Sequence, residues 1–89
     1  MVLVDYVVQQ GKKELARRRV AVDGDTVNDA DGTAGEATIT FTLTPRLADA
    51  LANGALDLSV GFMRGEVKMA GDFGALLHVL PTLTKTPGL

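Results

Sequence analysis

From Glu36 to Thr44 the chain reads EATITFTLT, and after the first residue apolar and hydroxyl side chains alternate without a break. In a strand, successive side chains point to opposite faces, so Ala37, Ile39, Phe41 and Leu43 go one way and Thr38, Thr40, Thr42 and Thr44 the other. Such a segment belongs in a sheet with one dry face and one wet face. The same period governs the N-terminal stretch, where Val2, Val4, Tyr6 and Val8 alternate with Leu3, Asp5, Val7 and Gln9. Gly11, Lys12 and Lys13 read as a turn into a second strand from Leu15 to Val22. Asp23-Gly24-Asp25 is a strong hairpin signal, with Thr26 to Asn28 as a short return strand. Asp29 to Gly35 is polar and reads as a surface loop.

In the second half the period changes. Thr44 is placed to cap a helix with Pro45 at its first position, Leu47, Ala48 and Leu51 share a face, and Gly54 is a stop signal. Asp57 would cap a further turn through Val60. Gly65 to Gly71 reads as the last strand, with Val67 and Met69 on one face. Asp72 then caps a helix in which Phe73, Leu76, Leu77 and Leu80 follow the i, i+3, i+4, i+7 spacing. Pro81 is expected to end it, leaving 81–89 as a loose tail. The expectation is one α+β domain over 1–89: about five strands in a mainly antiparallel sheet, with helices on one face.

With 89 residues, about two thirds of the unfolded surface can be buried, enough for one layered core. Cysteine is absent, which excludes disulfides, thiolate metal sites and cysteine nucleophiles. A pI near 5.1 argues against a nucleic-acid partner. Aromatic residues are 4% of the chain with no tryptophan, too few for base-stacking platforms. The N-terminal apolar run lacks a preceding basic residue and is interrupted by Asp5, unlike a signal peptide. No stretch reaches the roughly 20 apolar residues of a membrane span, so no stable membrane insertion is expected. A cytoplasmic domain is the expected setting.

Catalytic and metal chemistry find little support. Ser59 and His78 are the single serine and histidine, and Ser59 lacks the glycine pattern of a nucleophile elbow. One histidine without cysteine is a poor start for a metal site. Asp23, Asp25, Asp29 and Asp31 suggest calcium, but from Asp23 the fifth and sixth loop positions are Val27 and Asn28, where a ligand and glycine are required. Aspartates in turns commonly bond their own backbone. No phosphate-binding glycine motif occurs. The expectation is no enzyme, no metal and no cofactor. Arg17, Arg18 and Arg19 form the one basic cluster, with Arg17 and Arg19 on one strand face and Arg18 on the other. They suit either contact with lipid, coenzyme A or membrane phosphate or a solvated, guarded sheet edge.

The block Phe62 to Leu80, FMRGEVKMAGDFGALLHVL, resembles the signature region of the sterol carrier protein lipid-transfer family. Phe62, Gly65, Lys68, Gly71, Asp72 and Gly74 match the family's aromatic–glycine–strand–glycine–helix pattern, and the upstream element order agrees. The resemblance implies non-catalytic binding or transfer of a fatty acyl or sterol-like ligand in an apolar cavity between sheet and helices. Leu47, Leu51, Phe62, Met63, Val67, Met69, Phe73, Leu76, Leu77 and Leu80 are then the candidate wall, although a domain this small needs most such side chains for its core. Family members usually carry helices before the first strand, whereas this sequence starts on it. That leads to the expectation that Val2, Val4, Tyr6 and Val8 face outward and pair two copies into a homodimer. The alternative function is a structural or oligomerisation module that keeps the fold without a ligand.

Overall fold

A computed structural model describes residues 1–85. The elements run β1 (Val2–Gln10), β2 (Lys13–Asp23), β3 (Thr26–Asp29), β4 (Ile39–Leu43), α1 (Pro45–Ala52), α2 (Leu58–Met63), β5 (Lys68–Gly71) and α3 (Phe73–Lys85). The sheet order is β3-β2-β1-β4-β5. Three of its pairings are antiparallel, and β1 with β4 is parallel. The first strand therefore ends in the middle: two successive hairpins build one side, and the chain then crosses back to lay β4 on the other. The segment between β3 and β4 is anchored by Ala30 N–H to the Arg19 carbonyl at 2.9 Å and Thr38 N–H to the Leu3 carbonyl at 2.8 Å.

The register sorts the side chains. Val4 opposes Val20 and Ile39, Tyr6 opposes Arg18 and Phe41, and Val8 opposes Ala16 and Leu43. These share the helix-bearing face. Asp5 opposes Arg19 and Thr40, and Val7 opposes Arg17 and Thr42, on the outer face. A bulge between Val8 and Gln9 ends the regular pairing.

All three helices supply the core over the first face. Leu51 of α1, Leu58 of α2, and Leu76, Val79 and Leu83 of α3 join Val4, Tyr6, Val20, Val22, Ile39, Phe41, Leu43 and Val67 in one apolar cluster. Tyr6 and Phe41 stack with ring centroids 5.6 Å apart, within the range favoured by aromatic pairs. Thr44 caps α1 by accepting the Leu47 N–H, and Asp72 Oδ1 accepts the Ala75 N–H at the start of α3. Gly71 is required where β5 turns into α3. Its φ is +115°, and a Cβ there would lie 2.2 Å from the Thr38 carbonyl oxygen.

Two expectations are overturned. Val2, Val4, Tyr6 and Val8 do not face outward as a set, because Val4 is fully buried, Tyr6 is 7% exposed, and Val2 and Val8 are half-buried. The second half of the chain supplies the cover, so the surface expected to pair two copies lies inside one chain. Pro81 does not end α3, which runs through it to Lys85. An internal proline loses one helical hydrogen bond and commonly costs ~3 kcal/mol. Offsetting contacts lie just beyond it: Leu83 is 5% exposed within the core, Thr84 Oγ1 donates to the Leu80 carbonyl, and Ser59 and Thr84 hydroxyls are 2.6 Å apart. Of the expected loose tail, 81–85 is thus helical, and 86–89 lies outside the described residues. Smaller differences are at boundaries: β4 starts at Ile39 rather than Glu36, β5 at Lys68 rather than Gly65, and α2 runs to Met63 rather than Val60. Among the described residues no helix is long and apolar enough to cross a membrane.

Candidate functional site

The strands lay an apolar floor and the helices lay an apolar roof over it, and the expected ligand wall is drawn at their junction. The ten expected wall residues do not all reach that junction. Leu51, Val67 and Leu76 are buried in the core. Leu47, Phe62, Met69 and Leu80 pack against it while remaining partly accessible. Met63, Phe73 and Leu77 stand on the surface, at 83%, 56% and 60% exposure. For α3 the reason is helical phase: Leu76, Val79 and Leu83 face the sheet, and Phe73 and Leu77 lie about one residue's rotation, roughly 100°, off that stripe.

Two open depressions flank the junction. One, of about 580 Å³, lies along α1 between Thr44, Arg46, Leu47, Ala50, Leu56 and Glu66. The other, of about 320 Å³, lies over the β1–β2 ladder between Tyr6, Val8, Ala16, Arg17, Arg18 and Asp31. Burial pushes the Tyr6 hydroxyl well above its ordinary pKa, so it stays protonated and able to donate.

On the outer face a carboxylate is clamped between two guanidinium groups. Asp5 is 1% exposed. Its Oδ1 accepts Arg19 Nε at 2.7 Å, and its Oδ2 accepts Arg17 Nη1 at 2.9 Å and Arg19 Nη2 at 3.2 Å. Arg17 also reaches Glu14 at 3.0 Å, and Arg19 donates to the Thr33 carbonyl at 2.9 Å. The Arg19 hydrogen bond, with further help from Arg17, holds the Asp5 carboxyl below the usual carboxylate range against the opposing cost of burial. An open polar depression adjoins this cluster, lined by Glu36, Thr40 and Gly71 among others. With two carboxylates against two arginines, the cluster satisfies itself and acts as a structural tie.

The sequence profile of the SCP-2 sterol transfer family matches residues 14–84. The chain belongs to that family. Solved SCP-2 structures share the fold. A sterol carrier protein 2 from Yarrowia lipolytica, in its apo form, is 19% identical with a TM-score of 0.60, covering 96% of this chain and 70% of that one. The Aedes aegypti sterol carrier protein 2, determined with the C16 fatty acid palmitate, is 16% identical with a TM-score of 0.59, covering 93% and 73%. The fold also matches part of the sec-alkylsulfatase Pisa1 from Pseudomonas sp., at 20% identity and a TM-score of 0.58. There the match covers 99% of this chain but only 13% of the sulfatase. No curated protein sequence matches the chain.

Within the SCP-2 domain, the block that carried the resemblance forms the end of α2, all of β5 and the first half of α3. Its glycines do local work: Gly65 adopts a φ of +75° after α2, and Gly71 clears the β4 backbone. Ser59 bonds Thr84 across α2 and α3, and His78 is exposed on α3. Asp29 accepts the Asp31 N–H, the local backbone bonding that aspartates in loops favour, and Asp31 accepts the Arg19 N–H of β2. Among the described residues no cluster of three or more metal-ligating side chains occurs. The Asp5 clamp was missed in the sequence. Charge and strand parity place Arg17 and Arg19 together, but only the β1–β2 register brings them over Asp5.

Proposed function

We propose that this SCP-2 domain binds and carries a lipid, either fatty acyl or sterol-like, between the sheet and its helices and performs no chemistry of its own. The family match over residues 14–84 carries this reading. It is supported by the partly accessible Leu47, Phe62, Met69 and Leu80, which line the seams of the core. The Aedes aegypti relative solved with palmitate shows an acyl ligand compatible with the fold. Each methylene moved out of water contributes roughly 0.8 kcal/mol, so ten supply about 8 kcal/mol before binding costs. Methionine at position 69 suits this role because its unbranched side chain adapts to different neighbours.

The test is displacement of a fluorescent fatty acid, with native mass spectrometry to detect co-purified lipid. Met69→Trp fills the seam at a half-buried position and is expected to weaken binding at least about tenfold, or 1.4 kcal/mol, while the circular dichroism stays unchanged. Unchanged binding in the folded variant would remove Met69 and its neighbours from the wall.

A second reading, a structural module that pairs copies of the chain, is favoured by the exposure of Val60, Met63, Phe73 and Leu77 on α2 and α3. Light scattering separates the two. A lipid-free dimer broken by Leu77→Lys supports the second, and a lipid-loaded monomer the first.

A further inference from the structure

The chain holds two asparagines, Asn28 and Asn53, and the fold treats them differently. Asn28 lies inside β3, opposite Ala21 of β2, and Asp29 follows it. Asn53 is the exposed residue that ends α1, and Gly54 follows it. Its own N–H closes the helix on the Asp49 carbonyl at 3.0 Å, while its side chain turns forward into the α1–α2 connection.

Two features of that turn favour attack of the Gly54 nitrogen on the Asn53 amide carbon. The Ala55 N–H donates to Asn53 Oδ1 at 3.0 Å. The carbonyl to be attacked is therefore already polarised, and a fixed donor faces the negative charge that develops on its oxygen. Gly54 brings no side chain to hinder closure of a five-membered ring. Its φ is +80°, and a Cβ there would meet nothing within 4 Å, which leaves the backbone room to rotate. One contact opposes the reaction: the Gly54 N–H bond to the Leu51 carbonyl, which is long at 3.3 Å. At Asn28 the strand pairing and the Asp29 side chain both stand against ring closure.

We propose that Asn53 is a self-modification site, losing its side-chain amide in water at neutral to mildly alkaline pH, and that the product loosens α1. The Gly54 nitrogen gives up its proton and bonds to Asn53 Cγ. The Cγ–Nδ2 bond breaks, and Nδ2 takes up a proton in place of the one lost and leaves as ammonia. Water then opens the cyclic imide, at one carbonyl to give aspartate and at the other isoaspartate. Water is the only co-reactant.

The new carboxylate sits at the negative end of the α1 dipole and four residues from Asp49, a like-charge spacing that weakens helices. Isoaspartate also lengthens the main chain, which strains the Leu56 N–H bond to the Ala50 carbonyl that folds this turn back onto α1. Leu51 is the one buried residue of α1, so little else resists the change. Leu47 and Ala50 of the same helix line the depression of about 580 Å³, whose shape depends on how α1 is docked. The inference stands apart from the lipid-carrier reading.

The experiment ages the purified chain in mildly alkaline buffer, folded and unfolded in urea, and follows each asparagine by peptide mass spectrometry. Enzymatic methylation of isoaspartate identifies the second product. Because the end of α1 needs only local opening, Asn53 in the folded chain is expected to convert within about threefold of its unfolded rate, and Asn28 at least about tenfold more slowly than Asn53. Gly54→Ala is expected to slow conversion at least about tenfold. Since alanine is strained at that φ, Asn53→Gln is the second control, expected to leave only the slow release of ammonia from Asn28. Asn53→Asp, which stands for one product, is expected to melt about 3 °C below the wild type. A folded chain that keeps the Asn53 amide while the unfolded chain loses it overturns the site. Equal conversion of Asn28 and Asn53 overturns the selectivity drawn from the fold. An unchanged melt in Asn53→Asp overturns the loosening of α1.

Discussion

On the helix-bearing face of the sheet, Ile39, Phe41 and Leu43 are held by apolar contact with residues from α1, α2 and α3. On the outer face Thr40 and Thr42 stay half-exposed, and beside the buried Val7 the Asp5 carboxylate lies buried between two arginines. The same strands therefore carry two kinds of cohesion. Apolar cohesion is non-directional and scales with area removed from water, so it can adapt in shape at its seams, where a ligand would enter. The ionic tie depends on a few oriented bonds and on protonation. A carrier fold can afford adaptable contacts on one face when the other fixes the central strands in register.

The largest effect should separate the faces at neighbouring residues of β4. Phe41→Ala is expected to lose about 4 kcal/mol of stability by large-to-small core substitution, whereas Thr40→Ala loses less than about 1 kcal/mol. Urea unfolding of both variants measures this, and similar losses would erase the distinction.

Asp5→Ala comes next. Removing the carboxylate takes the ion partner from the nearly buried Arg19, while the half-exposed Arg17 keeps Glu14, at an expected cost of about 3 kcal/mol near neutral pH. Its pH dependence has a definite sign. The folded pKa lies below the ordinary carboxylate value, so this stabilisation is fully present above about pH 4, the unfolded value, and is lost as pH falls through the lower folded value. The gap between wild type and variant should narrow below about pH 4 while the Phe41→Ala gap persists. A pH-independent gap would mean that Asp5 acts by packing.

The smallest effects belong to the exposed apolar residues. Met63→Lys and Leu77→Lys should each change stability by less than about 0.5 kcal/mol at low protein concentration. A larger, concentration-dependent loss would show that a second copy covers them.

The β-strand periodicity was readable because alternation directly encodes which side chains share a face, and Ala37 to Thr44 states it twice over. Helix starts were readable where chemistry marks them, at Thr44 with Pro45 and at Asp72. Of the candidate wall, Leu51, Val67 and Leu76 are core residues and Leu47, Phe62, Met69 and Leu80 lie at its margin. Phe73 and Leu77 were drawn in by a spacing rule that fixes a stripe's period but not which stripe meets the sheet, and Met63 by its place in the signature block.

Sequence alone determined which side chains share a strand face, the order of four strands before the first helix and the family signature from Phe62 to Leu80, since each is written in local spacing and local chemistry. Tertiary structure decided the parallel union of β1 and β4, the cover over Val4 and Tyr6, the passage of α3 through Pro81, and the meeting of Asp5 with Arg17 and Arg19. Each of these depends on energy from residues distant in the chain: the docking of Leu83 and Thr84 offsets a local penalty at Pro81, and a strand register converts separated charges into one buried tie.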